Sequence, residues 1–280
     1  MNQHCPCPNG AHDEGMTDFT ADFGRTADDY ATHRAGFPES LWDRLADRGI
    51  VLDGARVLDL GTGTGTAARA LARRGARVIG VDISSDMLST AETLAHNEGL
   101  AIDWAEGSAE ATGLSDRSVD LVVAGQCWHW FDGPAAFTET ARVLTRHGRL
   151  VICHFDWLPL PGNLVAATEA LIERFNPAWP MGGGNGFHPA WATGARTAGF
   201  QNIETFTYDV DQPYTHAAWR GRIRASAGVG GTLPVDRVAA FDTEHTAVLA
   251  ENFPDEPLVV PHRVFALIAS PEPRIDPNRE

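Results

Sequence analysis

The sequence feature that most constrains the fold is the stretch VLDLGTGTGT at residues 57–66, in which a short apolar run ends in a loop with glycine at every second position. A buried strand that leads into a glycine turn and then a helix is typical of a ligand cradle. Gly61, Gly63 and Gly65 can adopt positive φ or let a ligand lie against bare backbone. The amides that open the next helix supply donors and a positive dipole end. We therefore expect a ligand at this turn.

The spacing of these glycines distinguishes between two classes of ligand. The fingerprint of dinucleotide-binding folds places its third glycine at the sixth position, where a pyrophosphate rests on the helix N-terminus. That position is Thr66 here, so the loop reads G-x-G-x-G. Together with the preceding Val-Leu-Asp-Leu, the loop resembles motif I of the class I S-adenosylmethionine (SAM)-dependent methyltransferases, whose ligand carries no phosphate. The resemblance implies that the loop residues Gly61, Thr62, Gly63 and Gly65 bind SAM.

An acidic residue ends the second predicted strand, residues 77–82. Asp82 lies 21 positions after Gly61, where a carboxylate at a strand end can accept hydrogen bonds from ribose hydroxyls. A lone aspartate at this place usually caps the next helix, but Ser84 and Ser85 are better placed for that capping. The sequence therefore predicts a ribose-binding Asp82. The neighbouring residues that we also predict to contact the cofactor are Ile83 and Met87.

A polar turn at residues 106–110 follows the third predicted strand, at 101–105. In the family that the chain resembles, this turn is commonly Gly-Asp-Ala-Glu and borders the adenine of the cofactor. Ser108 stands in place of that aspartate, so any side-chain contact to the adenine amine is either weaker or made by Glu110, with backbone amides supplying the rest. An ordinary polar turn remains the alternative interpretation. The residues predicted to bind the cofactor here are Ser108, Ala109 and Glu110.

The fourth predicted strand, residues 119–124, runs into the aromatic block Gly-Gln-Cys-Trp-His-Trp-Phe at 125–131. Ligands of parallel open sheets gather beyond the carboxyl ends of the strands, so this block is expected beside the reacting centre. It resembles the Gln-x-x-His-Trp-Phe stretch of the methyltransferase type 11 group, which includes trans-aconitate methyltransferases. The resemblance spans residues 30–157. It implies cofactor contacts by Gly125 and Gln126, and we place Trp128 and Trp130 at the substrate.

These patterns predict one α/β domain with a Rossmann-like seven-stranded sheet, mostly parallel with an antiparallel last strand. An N-terminal helical lid and a helical substrate cap complete the expected fold. The turn before the fifth strand is placed at residues 145–148. The predicted segments are a disordered tail at 1–17, the lid at 18–54, the SAM-binding core at 55–157, a flap and helix at 158–200, and C-terminal strands with inserted cap helices at 201–280.

The predicted lid carries part of a second family pattern. Many small-molecule methyltransferases that this chain resembles have Tyr-x3-Arg-Pro-x-Tyr-Pro in this region. Tyr30 and Arg34 match the first two positions, while Ala35 and Phe37 depart from the pattern. The resemblance implies that Tyr30 and Arg34 contact the cofactor, and the alternative is a packed surface helix and turn.

Composition excludes several classes of partner. A formal charge of −15 disfavours nucleic acid, because phosphate backbones are bound by clustered lysine and arginine. The four cysteines, at positions 5, 7, 127 and 153, and the lack of a long apolar segment favour a soluble, cytoplasmic protein that binds no membrane. His4, Cys5, Cys7 and His12 form no complete zinc-site spacing, so we predict no metal site. The expected partner is a small molecule.

Methyl transfer from a sulfonium needs proximity, alignment and exclusion of water more than it needs catalytic side chains. An acceptor hydroxyl or ammonium would also need a nearby base. His129 is the first candidate by position, although a histidine inside Trp-His-Trp-Phe is more often a packed ring. The further candidates for a base are His33, His154, Asp156 and His188.

Three arginines occur within residues 219–224 of an otherwise acidic chain. On a helix, Arg220 and Arg224 share a face and could bind an acidic substrate, because guanidinium binds carboxylates in a bidentate manner. The alternative is solvated charge near acidic neighbours. Tryptophans near the expected mouth favour an apolar or aromatic pocket, although core packing explains any one of them equally well. An acidic or aromatic metabolite, such as one of secondary metabolism, is therefore the expected acceptor class.

Two other functions remain open at this point. A nicotinamide-dependent oxidoreductase is disfavoured by Thr66 and by the lack of a Tyr-x3-Lys pair. A SAM-binding relative that catalyses another reaction, or that only senses the ligand, is compatible with the same fold. The sequence does not distinguish O-, N- and C-methylation.

Overall fold

The computed structural model describes residues 36–272. The predicted tail at 1–17, most of the predicted lid and the residues Tyr30, His33 and Arg34 lie outside this range. Between residues 36 and 272, no helix is long and apolar enough to cross a membrane.

Seven strands form one sheet in the order β3-β2-β1-β4-β5-β7-β6. Only β7 runs antiparallel to its neighbours β5 and β6, and the other pairs are parallel. The prediction of a mostly parallel seven-stranded sheet with an antiparallel last strand is confirmed. The strands are β1 (Arg56–Leu60), β2 (Arg77–Asp82), β3 (Asp103–Glu106), β4 (Val119–Gly125), β5 (Leu144–Trp157), β6 (Gln201–Tyr214) and β7 (Leu258–Ser270).

The helices connect these strands and form the cap. Those that alternate with the first five strands are α1 (Glu39–Ala46), α2 (Thr66–Ala72), α3 (Ser85–Asn97) and α4 (Gly133–Val143). Those that follow β5 are α5 (Leu164–Phe175), α6 (Pro189–Thr197), α7 (His216–Arg224) and α8 (Val235–Asn252).

The central strands bury both of their faces, as parallel strands between helical layers must. Side chains alternate between the two faces, so Leu58 and Leu60 pack into one apolar cluster while Val57 packs into another. Trp128 and Phe137 belong to the first cluster. This two-layer core explains why the strands read as continuous apolar runs in the sequence.

The turn predicted before the fifth strand is wrong, because residues 145–148 lie inside β5. Val119 pairs with Leu144, but Leu121 pairs with Arg149. The pairing therefore moves five residues along β5 for two residues along β4, and the additional residues of β5 form a bulge. A turn-like composition is accommodated there without ending the strand.

The cap has an apolar cluster of its own, separate from the two that cover the sheet. Trp219 on α7 is fully buried within it, and α5, α8 and the β6–β7 hairpin supply further side chains. The β6–β7 hairpin extends past the end of β5, since Tyr214 pairs with Leu258 while β5 ends opposite His262. The hairpin thereby joins the cap to the sheet.

Candidate active site

The loop between β1 and α2 adopts the backbone conformation that its glycines permit. Gly61, Gly63 and Gly65 have φ values of 64°, 55° and 75°, which side-chain-bearing residues rarely adopt. A Cβ on Gly61 would come within 2.8 Å of the Phe131 ring, whereas a Cβ on Gly63 would meet nothing within 4 Å. The backbone at Gly63 therefore faces open space, and Gly61 is needed for close packing.

Asp59 holds this loop in shape, a role that the sequence analysis did not assign. Its carboxylate is buried and accepts hydrogen bonds from the Thr62 hydroxyl at 2.5 Å and from the Ala68 amide at 2.9 Å. Burial raises the pKa of Asp59 to about 7, although the hydrogen bonds from Thr62 and Ala68 act in the opposite direction. The signal in the sequence is an aspartate inside an otherwise apolar strand.

Asp82 meets the loop at the end of β2. Its Oδ2 accepts a hydrogen bond from the Gly63 amide at 2.8 Å, and its Oδ1 accepts one from the Ser84 amide at 3.0 Å. Ser84 caps α3 by accepting the Met87 amide, as expected. Ile83 is 74% exposed beside the carboxylate, while Met87 is buried. Asp82 and Gly63 are therefore in direct contact, and Ile83 offers an apolar surface next to them.

The turn after β3 lies beside the end of β2, because the Gly107 amide donates to the carbonyl of Asp82. Ser108 Oγ accepts the Ala111 amide, and Glu110 accepts the Asp132 amide. Ala109 is buried. The predicted adenine-side residues are thus present at the expected edge, with Ser108 and Glu110 bonded to nearby backbone.

The end of β4 completes the row of strand ends. Gln126 has φ of 64°, a conformation that costs free energy in a residue other than glycine. Its side-chain amide donates to the carbonyl of Phe155 at 2.5 Å. A Cβ on Gly125 would come within 2.9 Å of the Phe37 ring. Phe37 therefore covers this strand end, at the point where the described chain begins.

The aromatic block divides into a buried part and a half-buried part. Trp128 is 3% exposed, and its ring lies 4.5 Å from that of Phe137. Its placement differs from the prediction of a substrate contact, because its ring fills the core under α4. The His129 ring lies 4.9 Å from that of Trp130 and 5.1 Å from that of His154. His129 and Trp130 thus remain at the sheet edge where the acceptor is expected.

A cluster of three polar side chains lies next to His129. Asp156 Oδ1 is 3.3 Å from His154 Nδ1, and its Oδ2 is 3.0 Å from His188 Nε2. Burial alone would raise the pKa of Asp156, but the charges and hydrogen bonds of the two histidines outweigh it and hold the pKa well below its usual value. Three of the four candidates ranked behind His129 are thus brought together in one group, and the fourth, His33, lies outside the described residues.

The two arginines predicted to bind substrate are held by an acidic residue of the cap. Both oxygens of Asp242 accept hydrogen bonds from Arg220, and its Oδ1 also accepts one from Arg224 at 3.1 Å. The structure therefore differs from the prediction that this pair binds a substrate, because Asp242 already binds both arginines. The contact is invisible in the sequence because Asp242 lies on α8 and the arginines lie on α7.

Arg222, between those two arginines, faces the sheet edge instead. Its guanidinium lies 4.7 Å from the centre of the Trp157 ring, and it has no ion-pair partner within residues 36–272. Burial lowers the pKa of Arg222, while the nearby Tyr214 and Asp156 raise it. A half-buried cation thus lies beside Asp156 and Trp157.

Comparison with known proteins agrees with this geometry. Residues 58–152 match the family model described as "Methyltransferase domain". An uncharacterized methyltransferase of Schizosaccharomyces pombe is 37% identical over 125 residues, which are 44% of this chain and 48% of that protein. Residues 58–152 carry a class I SAM-dependent methyltransferase domain.

Solved structures share the fold of this methyltransferase domain. The YcgJ protein of Bacillus subtilis aligns with a TM-score of 0.55 at 20% identity, covering 84% of this chain and all of that one. Phosphoethanolamine N-methyltransferase 2 of Haemonchus contortus, in complex with S-adenosylhomocysteine, aligns with a TM-score of 0.53 at 19% identity, covering 89% and 56%. The chain matches about half the length of its first curated relatives, and the trans-aconitate-like subgroup stays a prediction.

The residues of the loop fit the cofactor of a class I methyltransferase. Bare backbone at Gly63 faces open space, and each oxygen of Asp82 retains a lone pair beyond the amide that it accepts. The exposed Ile83 provides an apolar surface for a purine. Gly63, Asp82 and Ile83 would therefore hold SAM, with the turn at Ser108–Glu110 on its adenine side.

Proposed function

We propose that this chain transfers a methyl group from SAM to a small anionic acceptor bound between the sheet edge and the cap. The observation that carries the proposal is the open backbone of Gly63 in hydrogen-bond contact with the carboxylate of Asp82. A glycine loop and a strand-end acid together suit a nucleoside with an amino-acid portion. Thr66 stands where a dinucleotide-binding fold has its third glycine, which disfavours a pyrophosphate.

When bound, SAM supplies a methyl group on a sulfonium that is already electrophilic. The chain's own residues then have to align the acceptor and exclude water. Phe37, which lies against the end of β4, serves the second task. If the acceptor carries a hydroxyl or an ammonium, the side chain placed to take its proton is His129.

Calorimetric titration and an acceptor screen test this proposal. S-adenosylhomocysteine is expected to bind with one site per chain, and NADH is expected not to bind. A screen of small carboxylic acids with SAM should yield a product heavier by one methyl group. Binding of NADH alone would contradict the assignment, and binding of S-adenosylhomocysteine without any methylated product would favour a SAM-binding protein with another activity.

Removing the Asp82 carboxylate should weaken cofactor binding. A hydrogen bond to a charged group contributes about 1.5–3 kcal/mol, so Asp82→Ala should raise the Kd for S-adenosylhomocysteine by roughly 10- to 100-fold. Asp86→Ala is the matched control, because Asp86 is exposed on the first turn of the next helix. Equal Kd values for the two variants would show that Asp82 does not hold the cofactor.

The anionic class of the acceptor is proposed from Arg222, whose guanidinium is not held by an acidic side chain within the described range. Arg222→Met should raise KM for the acceptor found in the screen by about 10- to 100-fold, the effect of losing one charge-assisted pair, and should leave the Kd for S-adenosylhomocysteine unchanged. Arg220→Met is the control, since Asp242 already holds Arg220. A larger rise in KM for Arg220→Met than for Arg222→Met would contradict this proposal and favour Arg220 and Arg224, the pair predicted from the sequence.

A further inference from the structure

Three side chains that commonly bind metals converge at the end of β5. His154 and Asp156 are two positions apart on this strand, so they project from the same face. His188 reaches them from the residue before α6. One ligand atom from each residue can be chosen so that all three lie within 4.8 Å of one another. From the sequence, these residues are candidate bases only.

The distances from Asp156 to the two histidines are those of neighbouring ligands on one metal ion. Bonds of about 2.1 Å that meet at 90–110° place two ligand atoms roughly 3.0–3.4 Å apart. Asp156 oxygens lie 3.3 Å from His154 Nδ1 and 3.0 Å from His188 Nε2. The carboxylate is thus already at ligand distance from both imidazoles.

Packing fixes the rings that would carry the ligand atoms. The His188 ring stacks on that of Trp191 with 3.9 Å between centroids and 3° between planes. The His154 side chain is 3% exposed, and its ring lies 4.8 Å from that of Trp191. Such pre-set geometry lowers the entropy cost of binding an ion.

We propose that His154, Asp156 and His188 bind one divalent transition-metal ion. Two imidazoles and one carboxylate suit first-row ions such as Zn²⁺ and Fe²⁺, and three protein ligands leave at least one coordination position open. The site lies beside His129 and Arg222, on the side of the sheet where the acceptor is proposed. Only this last relation depends on the proposed function, because metal binding can be measured without any turnover.

The competing explanation is a hydrogen-bonded His-Asp-His group that holds a proton and no metal. The two explanations differ in stoichiometry, so metal content decides between them. The N-terminal residues His4, Cys5, Cys7 and His12 could bind zinc independently. The test protein is therefore the full chain with Cys5→Ser and Cys7→Ser and without an affinity tag.

Zn²⁺ is the probe, added after treatment with a chelator and removed to equilibrium by dialysis. Elemental analysis should then find one zinc per chain. Co²⁺ in its place should give visible absorption without the intense near-ultraviolet band of thiolate ligands. A chain that retains no zinc overturns the proposal, whatever its methyltransferase activity.

Single substitutions locate the ion. His188→Ala and Asp156→Asn should each weaken zinc binding by at least about 100-fold, the upper range for loss of a supporting residue. His147→Ala, at an exposed position of β5, should retain the zinc. Circular dichroism and S-adenosylhomocysteine titration check that each variant is folded. If folded His188→Ala and Asp156→Asn variants retain zinc like the control, the ion lies elsewhere and the assignment is wrong.

Discussion

Replacing Asp59 with leucine should destabilise the protein by about 2–6 kcal/mol, because the Thr62 hydroxyl and the Ala68 amide would each lose their buried acceptor at about 1–3 kcal/mol. Both donors bond to the same carboxylate oxygen, so Asp59→Asn keeps an acceptor for them. Urea unfolding of the wild type and the two variants measures the difference. Because Asp59 holds the loop that meets the cofactor, Asp59→Leu should also weaken binding of S-adenosylhomocysteine.

The free energy of unfolding of the wild type should depend on pH through Asp59, whereas that of the asparagine variant should not. The pKa of Asp59 is raised by burial to about 7 from a value of 3.8, so the folded chain binds a proton more tightly than the unfolded chain. The associated stability is fully present below about pH 4 and is lost as the pH rises through 7. Three pKa units correspond to about 4 kcal/mol, which is an upper estimate.

Asp59→Asn removes this linkage, since the amide does not ionise. The asparagine variant should match the wild type at pH 4.5 and become more stable than the wild type at pH 8.5, by up to a few kcal/mol. Other titrating groups cancel in the difference between the two proteins. A difference that does not change with pH would mean that Asp59 is ionised in the folded chain at low pH.

Glu139→Ala should lower the free energy of unfolding by about 2–6 kcal/mol, because the buried amide and hydroxyl of Thr112 would each lose their acceptor at about 1–3 kcal/mol. Glu139 is buried. It accepts hydrogen bonds from the amide and hydroxyl of Thr112 at 2.8 and 2.6 Å and from the Arg142 guanidinium at 2.7 Å. Arg142 in turn bonds to Asp116 and to the carbonyl of Leu114.

This network ties the segment after the adenine-side turn to α4, so the same variant should weaken cofactor binding. Glu244→Ala is the matched control, because its partner Arg174 is exposed and surface pairs contribute about 0–1 kcal/mol. Glu139→Gln keeps an acceptor for Thr112 and should be less damaging than alanine. Equal losses for Glu139→Ala and Glu244→Ala would show that the buried network contributes no more than a surface pair.

Acidic pH should also weaken this network, because the pKa of Glu139 is lowered in the folded chain. The hydrogen bond from Arg142 lowers the pKa of Glu139 to about 2, against the effect of burial and with further help from Thr112. Stability from Glu139 is present above about pH 4.5 and is lost as the pH falls through 2. Wild type and Glu139→Gln should therefore converge in stability at acidic pH.

The sequence predicts the sheet and the cofactor loop because local patterns specify them. Apolar runs separated by amphipathic segments determine the order of strands and helices, and Gly61, Gly63 and Gly65 occupy positive-φ positions that favour glycine. The second strand was predicted at residues 77–82, which are its observed ends. These features depend on neighbours within a few residues along the chain.

The rest depends on contacts between distant segments. Asp242 accepts a hydrogen bond from Arg220, 22 residues away in the sequence, and His188 bonds to Asp156, 32 residues away. Trp128 packs against Phe137 because α4 folds back over the sheet. Amphipathic spacing shows which face of a helix is polar, but it does not show which charge on the next helix will meet it.

The separate apolar cluster of the cap gives the chain a modular character. The match to the methyltransferase family ends at residue 152, before β5 reaches the cap, and the hairpin of β6 and β7 carries the cap beyond the edge of β5. Under the proposed function, descendants of such a chain could exchange the cap, and with it the choice of acceptor, while the half proposed to bind SAM keeps its core. Diversification of substrate choice would then proceed by remodelling one end of a hairpin, with the other end held constant.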